Sequence, residues 1–376
     1  MKRSLMLLAA ALCSTALFAQ APTQPPLGLP ELKIPENNPQ TPEKIALGEK
    51  LFKDKRFSST GTVSCATCHA PEKAFTDETG PLLVSLGIDG LTGTRNAPTV
   101  INSAYNRTQF WDGRSPDLED QAQHPFLNPV EMGLANHDPI IDVVRNDRDY
   151  SRAFNRVFGV SGDEITIEHV KMAIASFERT AIAGNSPFDR WYFAGEENAI
   201  GEEAKRGFDV FRKQGRCISC HAIEQDHALF TDHKFHNIGI GISQIDSRVP
   251  QLAGAFIEAK ANGADVDVTV LTDADTSHLG RFAVTEEFGD VGQFKTPTLR
   301  NIAVTAPYMH DGSLATLRDV VVHYNNGGVS NPTDPVTPYL SGGIRPLNLT
   351  EQQIDDLVAF METLTSPEFA AAAGAQ

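Results

Sequence analysis

Basic charge is scarce in this chain. Its 376 residues carry 32 Lys and Arg against 48 Asp and Glu, a formal net charge of −16. So acidic a protein lacks the basic footprint that nucleic-acid binding needs. Long apolar runs are scarce too. One stretch, Leu5 to Phe18, approaches membrane length, and it is short for a span. β-Branched alternation is rare, which argues against a sheet-based fold, while 23 Pro and 29 Gly favour loops. Tryptophan is limited to Trp111 and Trp191, and cysteine to five residues. Four of those cysteines form two Cys-x-x-Cys pairs, and that spacing organises the rest of the reading. Otherwise the composition, 41% hydrophobic and 21% charged, is ordinary for a globular protein, and the length favours two domains over one core.

Lys2 and Arg3 precede Leu5–Phe18, which ends in small residues around Ala19 and Ala21. This is the pattern of a secretory signal peptide over residues 1–21. A retained anchor is the alternative. Cys13 raises a lipoprotein alternative, but Leu12 before it is bulky where a lipid-attachment site takes Gly or Ala. Export predicts a periplasmic protein with no stable membrane anchor. There, paired cysteines become disulfides unless something else claims them.

Cys65-Ala66-Thr67-Cys68-His69 and Cys217-Ile218-Ser219-Cys220-His221 are two Cys-x-x-Cys-His pentads. Each reads as a c-type haem attachment site: two thiols add across the porphyrin vinyl groups and the adjacent His becomes the proximal iron ligand. A zinc site would bring its Cys pairs within about 15–20 residues of each other, and these are far more widely spaced. A redox dithiol has no need of His after the second Cys in both copies. Two covalent haems are the reading.

The chain also repeats itself. Residues 98–120 (PTVINSAYNRTQFWDGRSPDLED) and 297–319 (PTLRNIAVTAPYMHDGSLATLRD) superpose without a gap, with Trp111 opposite His310. Upstream, Gly48–Phe52 echoes Gly207–Phe211, each shortly before its pentad. Two related halves follow, each with one haem. The expected organisation is an extended Pro-rich segment over 22–40, a domain over 41–195, a second over 196–366 and a tail over 367–376. The second half has extra residues around Gln244 to Phe288, Gly-, Asp- and Ala-rich, predicted to loop out over the surface. Thr41-Pro42-Glu43 opens a helix towards Phe52, and Thr166 to Thr180 and Glu202 to Arg212 are helical. Thr350 and Gln353 make a capping box before Ile354–Leu364. The fold class is mostly α and loop-rich, two haem domains related by the internal repeat.

These residues resemble the bacterial di-haem cytochrome c peroxidases, including the MauG-like branch. The resemblance rests on both pentads, on Phe110-Trp111-Asp112-Gly113-Arg114 and on Asn128-Pro129-Val130-Glu131-Met132. It rests also on Thr296-Pro297-Thr298-Leu299-Arg300-Asn301 and on Pro307-Tyr308-Met309-His310-Asp311-Gly312. It implies two cytochrome-c-like α-domains whose haems face across an interface, the first meeting peroxide and the second relaying electrons. Glu131 matches the distal acid, which moves a proton between the peroxide oxygens. Gln121 and Pro125 match residues lining the same pocket, and Trp111 matches the tryptophan between the haems. Trp191 matches no motif and reads as packing. Asn96, Thr305 and Pro307 match residues that hold an interdomain calcium ion. Asp265, Asp267, Asp273 and Asp275 lack the Gly and Glu of a calcium loop and read as a solvated insertion.

The sixth haem ligands distinguish the branches. Where some relatives place a capping His after the first pentad, this chain has Ile88, and no His occurs between His69 and His124. The first haem is expected to be open. Where the classical branch has a Met, fourteen residues after His310, this chain has Tyr324, matching the tyrosine ligand of MauG-like proteins. Met309, His310 and His323 are the rival ligands; the first two belong to a motif shared with the Met-ligated branch, and His323 projects differently from its helix. The reading is a periplasmic peroxidase reducing hydrogen peroxide with electrons from a small c-type cytochrome or cupredoxin. A maturase oxidising Trp or Tyr of a partner protein is the alternative, and a non-catalytic electron carrier comes third.

Overall fold

The computed structural model describes residues 24–77 and 82–373. The signal peptide expected over 1–21 lies outside the described residues. The fold is mostly helical. Among the described residues the strands are Phe235–His236 and Phe294–Lys295, antiparallel, with Phe235 opposite Lys295. The helices that position the site are α1 (Pro42–Phe52), α2 (Ile167–Glu178), α3 (Glu202–Arg212), α4 (Val249–Ala261), α5 (Val266–Thr272), α6 (Leu317–Asn325) and α7 (Glu351–Glu362).

The helices start where the sequence places caps. The Thr41 side chain accepts from Lys44 N–H, and Pro42 occupies the first helical position of α1. Thr350 and Gln353 close a reciprocal capping box on α7. α1 buries Ile45, Gly48, Leu51 and Phe52 against Ala173, Ile174 and Phe177 of α2. α3 buries Gly207, Phe208 and Phe211 against Leu357 and Phe360 of α7. Both crossings need glycine. A Cβ on Gly48 would lie 1.9 Å from the Ala173 carbonyl oxygen, and one on Gly207 would lie 1.8 Å from that of Asp356.

The repeat persists in atomic detail. Thr99 Oγ1 donates to the Ala74 carbonyl at 2.7 Å, and Thr298 Oγ1 to that of Leu229 at 2.8 Å. Asn102 and Asn301 are left-handed, with φ of 61° and 60°. Each starts a short 3₁₀ turn, Ser103–Tyr105 and Ile302–Val304. Isolated bridges pair Gln109 with Ser115 and Tyr308 with Leu314.

Among the described residues three apolar clusters form. One, around Leu51, Phe52, Phe126, Phe154 and Phe177, belongs to the first half. The second gathers Phe208, Phe211, Phe230 and Phe360 around Phe188, whose ring lies 5.3 Å from that of Phe230. Phe188 thus packs with the second half although it precedes residue 196, and Phe369 of the tail packs on the first. The third is Ile242, Val249, Phe256, Leu279 and Phe282. This third core corrects the expected surface loop. The 244–288 stretch folds into α4, α5 and shorter helices, because its apolar residues suffice for a core of their own. Asp267, expected to be solvated, is buried in an ion pair. The 24–40 segment is irregular but not merely superficial. Asn38 is buried, and the Gly28 carbonyl accepts from Arg300, which pairs with buried Asp189 at 2.9 Å.

Gly207→Ala tests the α3–α7 crossing. In an open helix the change would add stability, since Ala is the better helix former. Here the backbone contact makes it an overpacked site costing about 1–3 kcal/mol. Thermal unfolding should show a lower Tm; an equal or higher one would mean that the helices do not cross so closely.

Candidate functional site

Both pentads open on one continuous cavity of about 870 Å³ between the halves. Cys68, His69, Cys217, Cys220 and His221 line it, with apolar walls from Val100, Leu118, Phe211, Val321 and Leu357. The two pentads fold alike. His69 N–H donates to the Cys65 carbonyl and His221 N–H to that of Cys217, both at 2.9 Å. None of Cys65, Cys68, Cys217 and Cys220 is in a disulfide.

The residues fit a covalently held haem: each Cys-x-x-Cys pair is followed by a His, and both lie on a large cavity with apolar walls. Burial pushes the Cys65 thiol up strongly and that of Cys217 to about 12. Burial also lowers His69 and His221, keeping both imidazoles neutral, as an iron ligand must be. His221 Nδ1 is 2.8 Å from the Phe230 carbonyl, which fixes the tautomer and leaves Nε2 for a metal. His69 Nδ1 is buried without a formed hydrogen bond, although the Phe75 carbonyl raises its pKa. Phe75 and Phe230 are equivalent, both at positive φ, in Phe-Thr-Asp triplets after each pentad. That triplet repeat was the available signal for these carbonyls, and the sequence reading missed it. Arg95 and Lys295, both buried, also face the cavity, Arg95 already paired with Asp112. Burial lowers Lys295 to about 8.

The expected distal residues share this cavity. Glu131, Gln121 and Pro125 line it. The Glu131 carboxylate accepts no hydrogen bond from any described residue, while its backbone carbonyl accepts from Ile88 N–H at 2.9 Å. Removal from water, reinforced by the negative charge of Asp267 and opposed by Arg114, raises Glu131 to about 8. Ile88 itself sits in the first core, and its side chain has no donor atom to offer an iron. A Cβ on Gly87 would lie 2.0 Å from the Val130 carbonyl oxygen, so this loop reaches the Glu131 segment only with glycine there.

Trp111 lies on the wall between the halves, its indole N–H donating to the Asn96 carbonyl at 2.8 Å. Its neighbours form a buried ion chain: Arg95–Asp112 at 2.5 Å, Asp112–Arg114 at 3.1 Å and Arg114–Asp267 at 2.6 Å. The two guanidinium groups hold Asp112 far below the usual carboxylate range, against its burial. Asn96, Thr305 and Pro307, the residues matched to calcium, line the same cavity. Trp191 packs against Phe188 and Phe208 in the second core.

Of the rival sixth ligands, His323 does not line the cavity: its Nε2 is 2.8 Å from the Ile238 carbonyl and its Nδ1 3.2 Å from Ser330 Oγ. Tyr324 lines the cavity, and its hydroxyl bonds to no described residue. Burial, with Cys217 and Cys220 nearby, raises its phenol, so ligation would have to displace that proton. Met309 and His310 also face the cavity, with His310 stacked on Phe294 at 3.6 Å. Glu178 was not anticipated. It lines the cavity, its Oε2 is buried without a partner, and burial raises it to about 8.

A sequence model described as di-haem cytochrome c peroxidase matches residues 42–198, and one described as cytochrome c matches 204–365. The methylamine utilization protein MauG of Methylorubrum extorquens is 38% identical over 330 residues, 88% of this chain and 80% of that protein. The cytochrome-c peroxidase IdrP1 of Denitromonas iodatirespirans is 36% identical over 382 residues, 97% of this chain and 93% of that protein. Among solved structures, a MauG-like protein associated with microbial copper homeostasis superposes with a TM-score of 0.73 at 33% identity. That match covers 93% of this chain and 96% of the other.

Two outcomes test the ligand set. Changing Cys217 and Cys220 to Ala should lower bound haem from two per chain to one; a ratio still at two would remove the second pentad from haem attachment. Tyr324→Met should introduce a sulfur-to-iron charge-transfer band and raise the potential of one haem, because a neutral thioether favours ferrous iron over the anionic phenolate. A wild-type protein already showing that band would place a Met, not Tyr324, on the iron.

Proposed function

The chain belongs to the di-haem cytochrome c peroxidase family, and on that premise we propose that it reduces hydrogen peroxide to water after export to the periplasm. One small c-type cytochrome or cupredoxin after another would deliver the two electrons. The observation that carries this reading is an unpartnered carboxyl, Glu131, facing the same cavity as His69 and His221.

His69 and His221 would hold the two irons from the proximal side, and Tyr324 would complete the coordination of the second. Bound haem would supply the redox chemistry, giving two electrons to peroxide and being refilled by single electrons from the donor protein. The rest falls to the protein. Peroxide cleavage needs a proton taken from one oxygen and delivered to the other. Ionised Glu131 Oε accepts that proton and, once protonated, donates it to the departing oxygen. Overall, hydrogen peroxide with two electrons and two protons gives two waters. Gln121 lines the same pocket and would orient the peroxide. Ile88, held in the core, leaves the approach uncapped. Trp111, an oxidisable indole anchored by Asn96, divides the path between the halves into shorter steps. Asn96, Thr305 and Pro307 would fix the seam through a calcium ion, with carbonyl oxygens suited to a hard cation.

Similarity to MauG and the cavity-facing phenol of Tyr324 favour one second reading, oxidation of Trp or Tyr residues in a partner protein. Steady-state peroxide turnover with a reduced c-type cytochrome separates the two. Sustained turnover supports the peroxidase; negligible turnover, with stoichiometric reaction towards peroxide, supports the maturase. A plain carrier would react with peroxide in neither way.

The Glu131 assignment carries a pH dependence. The active base is the ionised form, and its pKa is raised to about 8. The second-order rate with peroxide should therefore climb as pH rises through that value. Glu131→Gln should flatten the profile and slow the reaction by about 10²–10⁴-fold, with both haem spectra retained. A wild-type rate independent of pH, or an unchanged rate in the variant, would take the proton transfer away from Glu131.

A further inference from the structure

Two clusters among the described residues bring three ligating side chains within 4.8 Å of one another. Cys220–Asp232–His236 includes a pentad cysteine and belongs to the site above. The other, His278–His310–Asp311, serves none of the roles assigned so far. We propose that these three side chains bind a borderline divalent cation of the zinc type, at the seam between the 244–288 subdomain and the second repeat.

The geometry suits a shared metal. His278 Nδ1 and His310 Nε2 face each other at 3.2 Å, with their rings near perpendicular at 83°. Two imidazoles on a tetrahedral zinc, each at about 2.0–2.1 Å, place their nitrogens roughly 3.3 Å apart. The site is built rather than fortuitous. Both imidazoles are buried, at 8% and 3% exposure. His310 is stacked on Phe294, and its backbone carbonyl accepts from Asn96 N–H at 2.8 Å. His278 follows a short helix, Ala274–Ser277, and lies against Gly241, where a Cβ would stand 2.0 Å from Nδ1. Only a glycine admits the ring there.

The charge balance points the same way. Asp311 is the repeat partner of Asp112. Asp112 pairs with two guanidinium groups, whereas Asp311 forms no ion pair with any described residue. One of its oxygens accepts from Ser313 N–H at 3.0 Å, leaving the other free. Arg95 is the cation nearest in effect to both imidazoles, but Asp112 already compensates it. Two neutral imidazoles and one uncompensated carboxylate form a donor set of charge −1. Nitrogen donors select zinc-like ions over calcium or magnesium, which prefer oxygen throughout.

The test uses the haem-loaded protein in calcium-containing buffer, dialysed against low-micromolar zinc chloride. Zinc and iron are then counted together by plasma mass spectrometry, with iron as the internal measure of protein. The site adds one zinc per two irons. His278→Ala and Asp311→Asn should each remove that one zinc while leaving the haem absorption spectrum unchanged. If His278→Ala fails to load haem, Asp311→Asn alone decides, since that side chain is only partly buried. A wild-type protein that retains no zinc, or a zinc-to-iron ratio that survives the substitutions, overturns the site.

Discussion

The buried ion chain Arg95–Asp112–Arg114–Asp267 is the constraint on which the rest of the site depends. Each member is removed from water, which costs several kcal/mol per ion unless partners are close and well oriented. They are: the separations are 2.5, 3.1 and 2.6 Å. Arg95 and Asp112 come from the first repeat, Asp267 from the 244–288 subdomain. Ser277 and Arg281 of that subdomain add hydrogen bonds to Arg95 and to the Asp112 backbone. The subdomain is therefore part of the cavity wall. Without it, Arg114 would lose Asp267, and Glu131 would lose the negative charge that reinforces its raised pKa.

The two halves show how one scaffold is put to different uses. Glycines at the helix crossings, left-handed asparagines and threonine-to-carbonyl bonds recur in both. These are backbone requirements, which tolerate wide change elsewhere. At the cavity the copies diverge. Trp111 stands where the second half has His310, and Asp112, in a network of arginines, where it has Asp311 beside two imidazoles. The first copy offers an oxidisable ring and a cavity-facing acid, Glu131. The second presents Tyr324 to the cavity. Such asymmetry suits two haem sites put to different uses.

Much of this was legible from residue order. The pentads, the gapless repeat and the caps at Thr41 and Thr350 are local patterns, and local patterns carry their own chemistry. The misses are equally specific. Residues 244–288 looked like a surface excursion because Gly, Asp and Ala dominate the eye. The apolar positions that make its core, Val249, Phe256, Leu279 and Phe282, are few and widely spaced. Asp267 looked solvated because its partners, Arg114 and Asn128, lie more than a hundred residues away. The Phe-Thr-Asp triplets were visible but carried no chemistry until the fold set the Phe230 carbonyl beside His221.

By itself the sequence determined the haem-attachment chemistry, the duplication and the family, because covalent attachment and backbone turns require particular residues at fixed short spacings. Tertiary structure alone decided which groups share the cavity and what their protonation becomes. Glu131 is an ordinary acid until burial and Asp267 raise it, and Asp311 an ordinary acid until His278 arrives from another subdomain. Both depend on charges and desolvation acting through space, between residues whose separation along the chain has no fixed value.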